Sequence, residues 1–349
     1  MVKLGVLNGG ADSPGLNAAI RAITLRAVRQ YKMEVVGVLR GWRGLMDGLF
    51  VPLTERDVEG VISRGGTLLR ISRTNPYRHP HGVERLLENF KRLGLEALIV
   101  VGGAETLSVA ARLWIESKVP VIGVPKTIDN DVGGTDYSFG FDTTVNIATE
   151  AIDRIHTTAE SHDRVMVVEV MGHHAGWIAL YAGLAGGADL VLVPEHPVSI
   201  DKVCETIAGI HERGRDFSIV VVAEGACVTT DKAPNGMSTH ASNARDEFDE
   251  VRMGGVGVQL GKEIEARTGY ETRVTILGHT QRGGSPSAFD RVLATRFGVA
   301  AVDLASKKKF GRLVAIQGNN IVDVDLAENA AEPRNVPREM YDAALALFG

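Results

Sequence analysis

The sequence is poor in cysteine, with only Cys204 and Cys227 among its 349 residues. Two thiols are too few to build a disulfide framework, and their spacing matches no metal-binding motif. Because disulfide scaffolds belong to oxidising compartments, this scarcity favours a protein of the reducing cytoplasm.

Long hydrophobic runs and blocks of like charge are also missing. The most apolar window, residues 174–193, is interrupted by glycines and by Asp189, so it predicts no membrane span. Residues 1–7 enter a strand-like pattern without the charged leader of a signal peptide. The longest charge block is Lys307–Lys309 and the net charge is −5, which excludes a nucleic-acid footprint. We therefore expect a soluble protein with neither nucleic acid nor membrane as partner, whose anionic substrates meet local cations and backbone N–H groups.

One pattern recurs along the chain: a short run of strand character, a glycine-containing loop, and then a helical pattern. The runs are 3–7, 97–101, 164–170, 218–223 and 272–277, and the helices that follow four of them are 18–30, 107–117, 177–184 and 288–303. This alternation predicts an α/β fold with mainly parallel sheets and right-handed crossovers. Ligands of such sheets bind beyond the carboxyl ends of the strands, where the polar clusters of this sequence lie.

The length allows two domains, each with a core of its own. A boundary near residues 140–143 fits the end of the third crossover. We assign residues 1–141 and about 281–331 to the first domain, and residues 142–280 and about 332–349 to the second.

Residues 125–131, Pro-Lys-Thr-Ile-Asp-Asn-Asp, follow an apolar strand and concentrate two carboxylates, a cation and a hydroxyl. In extended backbone, side chains two residues apart share a face, which would place Thr127, Asp129 and Asp131 together. A magnesium ion favours ionised oxygen ligands, so the segment suits a base that takes a proton from a hydroxyl beside a metal-bound phosphate. The alternative is a polar loop with an aspartate cap.

The first glycine loop, residues 8–17, is a candidate anion site. Gly9 and Gly10 allow close backbone approach, and the following helix would be capped by Ser13 and begun by Pro14. A tight strand-to-helix turn explains the same residues equally well.

Two further loops have the same ambiguity. Arginines at 70, 73 and 78 suit phosphate oxygens, or a solvated basic loop. In residues 102–106, Thr106 would cap the next helix. Glu105 would either place a negative charge where a phosphate could bind or only stabilise the helix dipole.

The later segments contain candidate ligands for a sugar phosphate. Adjacent His173 and His174 do not predict zinc, because consecutive side chains diverge and no third ligand has helical spacing. Arg273, His279 and Arg282 are better explained as a clamp for a phosphomonoester. Glu224 would bind a sugar hydroxyl.

In this order and spacing, the segments resemble the phosphofructokinase family, from residue 5 to beyond 290. The matching stretches are Gly9–Arg21, Gly65–Thr67, Gly102–Gly103, Pro125–Asp131, Glu169–Gly172, Ala223–Gly225 and Leu277–Gly284. The resemblance implies two Rossmann-like α/β domains, the first for the phosphoryl donor and the second for fructose 6-phosphate, with the active site in the cleft between them. It implies a glycolytic, cytoplasmic homodimer or homotetramer with shared active sites. It also implies Mg²⁺ and transfer of a phosphoryl group from pyrophosphate or ATP to the C1 hydroxyl of fructose 6-phosphate.

The resemblance also assigns roles to individual residues, with Asp129 as the general base. The other catalytic residues would be Lys126, Thr127, Asp131 and His173. The substrate contacts would be Thr127, Asp129, Arg164, Met171, Gly172, His173, Glu224, Arg273, His279 and Arg282. Of these, a neighbouring subunit would supply Arg164 and Arg273. The donor contacts would be Gly10, Arg73, Gly102, Gly103, Ala104, Glu105 and Thr106, and the metal ligands would be Glu105 and Asp131.

Three positions depart from the family pattern. Ala104 replaces the usual acidic metal ligand. Glu105 stands where ATP-using members have glycine and pyrophosphate-using members typically have aspartate. A carboxylate there would repel an α-phosphate, so the sequence favours pyrophosphate over ATP. Lys126 fits the same reading but also occurs in an ATP-using branch. His173 replaces an arginine. Because of Ala104 and His173, the alternative hypothesis is a catalytically weakened homologue that binds sugar phosphate.

A dinucleotide oxidoreductase is discarded. The first glycine loop lacks the Gly-x-Gly-x-x-Gly turn and the acidic residue about twenty positions further on.

Overall fold

The computed structural model describes residues 2–231, 233, 236–237, 240–245, 247–248 and 251–347. The chain divides into two compact units, which are described separately below. Unit 1 comprises Met1–Thr143, Asp246–Glu250 and Arg282–Arg334, and unit 2 comprises Thr144–Arg245, Val251–Gln281 and Asn335–Gly349.

The strands are numbered in chain order: β1 (Lys3–Asn8), β2 (Glu34–Val38), β3 (Phe50–Leu53), β4 (Ala97–Gly102), β5 (Val121–Thr127), β6 (Phe139–Gly140), β7 (Val165–Val170), β8 (Leu190–Leu192), β9 (Val198–Ser199), β10 (Ser218–Ala223), β11 (Val228–Thr229), β12 (His240–Arg245), β13 (Val251–Met253), β14 (Thr272–Ile276), β15 (Arg312–Gln317) and β16 (Asn320–Asp325).

The helices are numbered in the same way: α1 (Leu16–Tyr31), α2 (Gly41–Asp47), α3 (Gly82–Arg92), α4 (Ala104–Ser117), α5 (Phe141–His162), α6 (Trp177–Ala185), α7 (Ile200–Glu212), α8 (Val256–Thr268), α9 (Ala288–Ser306), α10 (Leu326–Ala331) and α11 (Arg338–Leu345). Short 3-10 turns lie at Arg56–Val58, Pro76–Arg78 and Gly278–Arg282.

Unit 1 is built on one large sheet with the strand order β16-β15-β5-β4-β1-β2-β3, and β6 pairs with the end of β5. The five inner strands are parallel, whereas the edge strands β3 and β16 run antiparallel to their neighbours. Helices therefore cover both faces of the parallel part, and the carboxyl ends of β1, β4 and β5 meet at one edge.

Strand β4 shows how the sequence builds this layer. Its residues at 97, 99 and 101 join the core cluster that contains α1 and α9, and those at 98 and 100 join the opposite cluster with α2 and α4. Such alternation requires apolar residues at every position, because successive side chains of a strand point to opposite faces. On one face, α1 and α9 approach closely at Gly298, where a Cβ atom would lie 2.8 Å from the carbonyl oxygen of Ala19.

Unit 2 contains a parallel sheet with the order β14-β7-β10-β8. Strands β7 and β10 are buried along their whole length, and their carboxyl ends lead directly to Met171 and Glu224. Parallel strands dominate both units, so the predicted α/β class is confirmed.

Two predicted helix starts are wrong. The N-cap of α1 is Gly15, with φ +101, and the helix begins at Leu16. Ser13 instead donates its hydroxyl to the carbonyl oxygen of Phe139 at 3.3 Å. Helix α4 is capped at Gly103 and begins at Ala104, so Thr106 lies inside its first turn. At Gly15 the positive φ favours glycine, whereas Gly103 has extended backbone that other residue types also adopt.

No described helix combines the length and apolarity needed to cross a bilayer.

Candidate active site

The first glycine loop of unit 1 is packed against the start of α4. Gly9 donates its N–H to Val101 at 3.0 Å, and a Cβ atom on Gly9 would lie 2.6 Å from the methyl group of Thr106. A Cβ atom on Gly102 would lie 2.4 Å from the Cβ of the same threonine. The glycines are therefore needed for contact between this loop and α4, and Gly10 has a positive φ of +85.

Lys126, next to last in β5, lies at the centre of the charged groups in this region. Its side chain is 3% exposed, and its ammonium group donates to the carbonyl oxygen of Gly9 at 3.2 Å and to that of Ala11. Burial lowers the pKa of Lys126 to about 7. The positive charge of Arg282 acts in the same direction, whereas the surrounding acids oppose it; these are Asp12, Glu105 and Asp131. The pKa of one buried amine therefore depends on side chains from four separate segments of unit 1.

The segment after β5 is not extended as predicted. The strand ends at Thr127, whose hydroxyl accepts the N–H of Asp129 at 3.0 Å. Asn130 follows in the left-handed region, with φ +54. Beyond Thr127 the side chains therefore do not alternate as predicted, because a local side-chain hydrogen bond turns the chain. Asp129 is half-buried at this turn.

The turn is fixed by residues that sequence reasoning did not select. Buried Asn130 accepts the N–H of Ser138 at 2.9 Å, and Ser138 donates its hydroxyl to the carbonyl oxygen of Thr127 at 2.8 Å. Arg334 donates its N–H to the carbonyl oxygen of Asp131 at 2.9 Å. The only signal for any of them was the tolerance of asparagine for a positive φ.

At the start of α4 in unit 1, Glu105 and Arg73 form an ion pair with an N–O distance of 2.6 Å. Glu105 lies in the first turn of α4, where the helix dipole stabilises a carboxylate. Arg282 lies in the same unit and donates to the carbonyl oxygen of Asp12 at 3.3 Å. Ala104 is the first residue of α4.

In unit 2, the carboxyl end of β7 holds the loops that carry most of the remaining candidates. The carbonyl oxygen of Val170 accepts the N–H of Glu224 at 2.9 Å, and that of Gly172 accepts the N–H of Gly225 at 3.1 Å. A Cβ atom on Gly225 would lie 2.0 Å from the carbonyl oxygen of His173. Gly172 has a φ of +137, which no other residue type adopts easily. These contacts bring Glu224 and the Met171–His173 turn together.

The turn that contains His279 is attached to the same strand end. Fully buried Gln281 faces the N–H of Met171 with its amide oxygen at 3.4 Å and donates to the carbonyl oxygen of Gly278 at 3.1 Å. Leu277 donates its N–H to the carbonyl oxygen of Glu169 at 3.0 Å, and His279 itself is exposed.

Glu169 is a buried acid that supports this region and that sequence reasoning cited only as part of a motif. Its carboxylate accepts the N–H of Gly255 at 2.9 Å and that of Gly257 at 2.8 Å, at the N-terminus of α8. The backbone donors and the helix dipole compensate the buried charge.

His173 lies beside His174, with 2.8 Å between the Nδ1 of the first and the Nε2 of the second. Arg164 and Arg273 lie elsewhere, at the amino ends of β7 and β14, and both form ion pairs with Glu271. The hydrogen bond from Arg164 holds the pKa of Glu271 below its usual value. Six residues of strand span roughly 20 Å, so within one chain these arginines lie far from the Met171 turn.

The comparisons with known proteins decide the family. A model of the phosphofructokinase family matches residues 3–305. The chain belongs to the phosphofructokinase family.

Relatives of two kinds are similar over the whole chain. The pyrophosphate–fructose 6-phosphate 1-phosphotransferase of Streptomyces coelicolor is 52% identical over 348 residues, and the match spans 100% of both chains. The ATP-dependent 6-phosphofructokinase of Mycobacterium bovis is 47% identical over 350 residues, again across 100% of both. Among solved structures, the phosphofructokinase of Pichia pastoris in the T-state is similar with a TM-score of 0.82 and 32% identity. That match covers 99% of this chain and 36% of the Pichia chain, so this chain spans about a third of its length.

For a phosphofructokinase, the residues present fit a partial metal site. Among the described residues, no three histidine, cysteine, aspartate or glutamate side chains gather as a complete metal site. Mg²⁺ is commonly bound by one or two carboxylates together with substrate phosphates and water, so a full protein cage is not required. Asp129 and Asp131 carry such carboxylates on the turn after β5, and Glu105 carries another in the first turn of α4, where it forms an ion pair with Arg73.

Proposed function

We propose that this chain is a cytoplasmic 6-phosphofructokinase that uses pyrophosphate and D-fructose 6-phosphate and makes fructose 1,6-bisphosphate and orthophosphate. The observation that carries the choice of donor is Glu105. It places a carboxylate in the first turn of α4, ion-paired with Arg73, where an α-phosphate would meet a negative charge. The 52% identical relative of Streptomyces coelicolor, named as a pyrophosphate enzyme, supports the same choice.

The donor is assigned to unit 1. The backbone of Gly10 and of Gly102–Thr106 would approach the phosphates closely, and Arg73 and Lys126 would neutralise them. Lys126 contributes most when protonated, and a polyanion beside it would favour that form. Asp131 and Glu105 would hold Mg²⁺, which would supply further neutralisation of the donor oxygens.

The sugar phosphate is assigned to residues of unit 2 together with Arg282. Glu224 would accept hydrogen bonds from sugar hydroxyls, and the Met171–His173 turn would line the sugar. The 6-phosphate would be bound by His279 and Arg282. Arg164 and Arg273 would complete that site in a neighbouring copy of the chain, which accounts for their position at the amino ends of the strands. The proposal therefore includes a homodimer or homotetramer.

In the reaction, the C1 oxygen of fructose 6-phosphate forms a bond to a phosphorus of pyrophosphate, and the bond from that phosphorus to the bridging oxygen breaks. Asp129 accepts the proton of the C1 hydroxyl, and orthophosphate leaves. Thr127 would orient the transferring group. Because phosphoryl transfer needs little covalent help, positioning and charge neutralisation would provide most of the rate enhancement.

ATP is the second candidate donor, because the 47% identical relative of Mycobacterium bovis is named as ATP-dependent. Purified protein with Mg²⁺ and fructose 6-phosphate should turn over with pyrophosphate and should run backwards from fructose 1,6-bisphosphate and orthophosphate. Turnover with ATP and none with pyrophosphate would overturn the donor assignment. Binding of fructose 6-phosphate without turnover on either donor would instead favour a catalytically weakened, sugar-phosphate-binding homologue. That alternative is based on Ala104 and His173, which depart from the family pattern.

A further inference from the structure

Residues 72–79 form a loop that contains Arg73, and we call it the donor loop. It is attached to the rest of unit 1 at two places. At its start, the carbonyl oxygen of Ser72 accepts the N–H of Gly10 at 3.2 Å, and Arg73 pairs with Glu105. The later residues of the loop contact a different part of the chain. Asn75 donates its N–H to the carboxylate of Glu247 at 2.8 Å, and His79 Nε2 lies 2.9 Å from the same oxygen.

Glu247 reaches this position from far along the sequence. Residues Asp246–Glu250 belong to unit 1, although the chain on both sides of them belongs to unit 2. The next residue, Phe248, packs against the core cluster of unit 1 that includes Trp42 and Leu107. An apolar anchor thus holds the segment, and the carboxylate beside it contacts the donor loop.

The donor loop is stiff between its two attachment points. The side chain of Asn75 accepts the N–H of Tyr77 at 3.1 Å and caps the turn Pro76–Arg78, whose first residue has a fixed φ. Asn75 is two residues from Arg73, so a displacement of its backbone is passed to the arginine. The side chains of Glu247 and His79 are 36% and 28% exposed. Their contact therefore adds little to the stability of unit 1.

We propose that Glu247 is a positioning residue for the donor: it fixes Asn75 and His79 and thereby holds Arg73 where it meets Glu105. This inference rests on the proposed function, since it assigns the donor to Arg73. Glu247 should therefore affect the use of pyrophosphate by the enzyme and leave its use of fructose 6-phosphate unchanged.

The first test measures the loop itself. Hydrogen exchange followed by mass spectrometry should show faster exchange of the amides of residues 72–79 in Glu247→Ala than in the wild type. The matched control is Glu84→Ala, which removes another His–Glu pair from the same region. That pair, His81 with Glu84, is local and exposed, at 80% and 67% of the two side chains. Glu247→Gln should restore slow exchange, because its amide oxygen still accepts the N–H of Asn75.

The second test measures catalysis with the same variants. Glu247→Ala should raise the KM for pyrophosphate roughly three- to ten-fold, with the KM for fructose 6-phosphate and the melting temperature unchanged. Glu84→Ala should match the wild type, and Glu247→Gln should recover most of the loss.

Unchanged exchange in Glu247→Ala would overturn the inference. Faster exchange with an unchanged KM for pyrophosphate would overturn the positioning role. A wild type without turnover on pyrophosphate would refute the proposed donor and with it the role of Glu247 in donor use, while the exchange rates would still show whether Glu247 holds the loop.

Discussion

Binding of the phosphoryl donor should draw a proton onto Lys126. Burial lowers the pKa of this amine to about 7 in the free protein, and an anion beside the ammonium group would raise it again. A group with a pKa of about 7 is about one-tenth protonated at pH 8 and about half protonated at pH 7. Binding should therefore take up about 0.9 proton at pH 8 and about 0.5 at pH 7. Above pH 7 the affinity for pyrophosphate should fall by up to about ten-fold per pH unit.

Calorimetry in buffers of different ionisation enthalpy measures this uptake directly. The control is Lys126→Met, which keeps an unbranched apolar stem without the ammonium group and also reports the protons that belong to pyrophosphate itself. The difference between the wild type and this variant should be the uptake of Lys126. Equal uptake by the two proteins at pH 8 would refute the reasoning, because Lys126 would then keep the same charge before and after binding.

Four further outcomes are expected. Asp129→Asn should lower kcat about 10²- to 10⁴-fold with little change in the KM for either substrate, if the aspartate accepts the C1 proton; an unaltered kcat would exclude that role. Glu105→Gly should raise the ratio of kcat/KM for ATP over pyrophosphate by about ten-fold or more, and an unmoved ratio would show that the carboxylate does not select the donor. Burial raises the pKa of Asp290 from 3.8 to about 6. The folded state then binds more protons than the unfolded state between those values, so this group makes stability fall as the pH rises through that window, by roughly 3 kcal/mol in all. Asp290→Asn should flatten that dependence in urea unfolding, and an unchanged slope would contradict it. Gly298→Ala should destabilise unit 1 by about 1–2 kcal/mol in the same assay, because its Cβ would lie 2.8 Å from the carbonyl oxygen of Ala19; a gain in stability would mean that α1 and α9 separate easily.

The features that could be predicted from the sequence are those set by short spacings. The strand-like runs at β4 and β7 contributed to the prediction of mainly parallel sheets, and the glycines after β1 indicated a turn at which a backbone can approach an anion. The motifs around Asp129, Glu224 and His279 were sufficient for the family, which the family model confirms. The course of the chain beyond Thr127 was predicted wrongly, since a hydroxyl that captures the N–H of Asp129 competes with extended backbone and leaves no trace in an alternating pattern.

The sequence by itself determined the main strand–loop–helix units, their order and the chemical types at the strand ends, because these depend on residues near one another in the chain. Only the tertiary structure decided which distant groups meet. Glu169 reaches Gly255, and Glu247 reaches Asn75 across 172 positions. It also decided that Lys126 is buried, which sets its pKa. The physical reason is that contact and burial depend on how the helices pack onto the sheets. The type of a residue limits what it can bind, but it does not specify which residues will lie beside it.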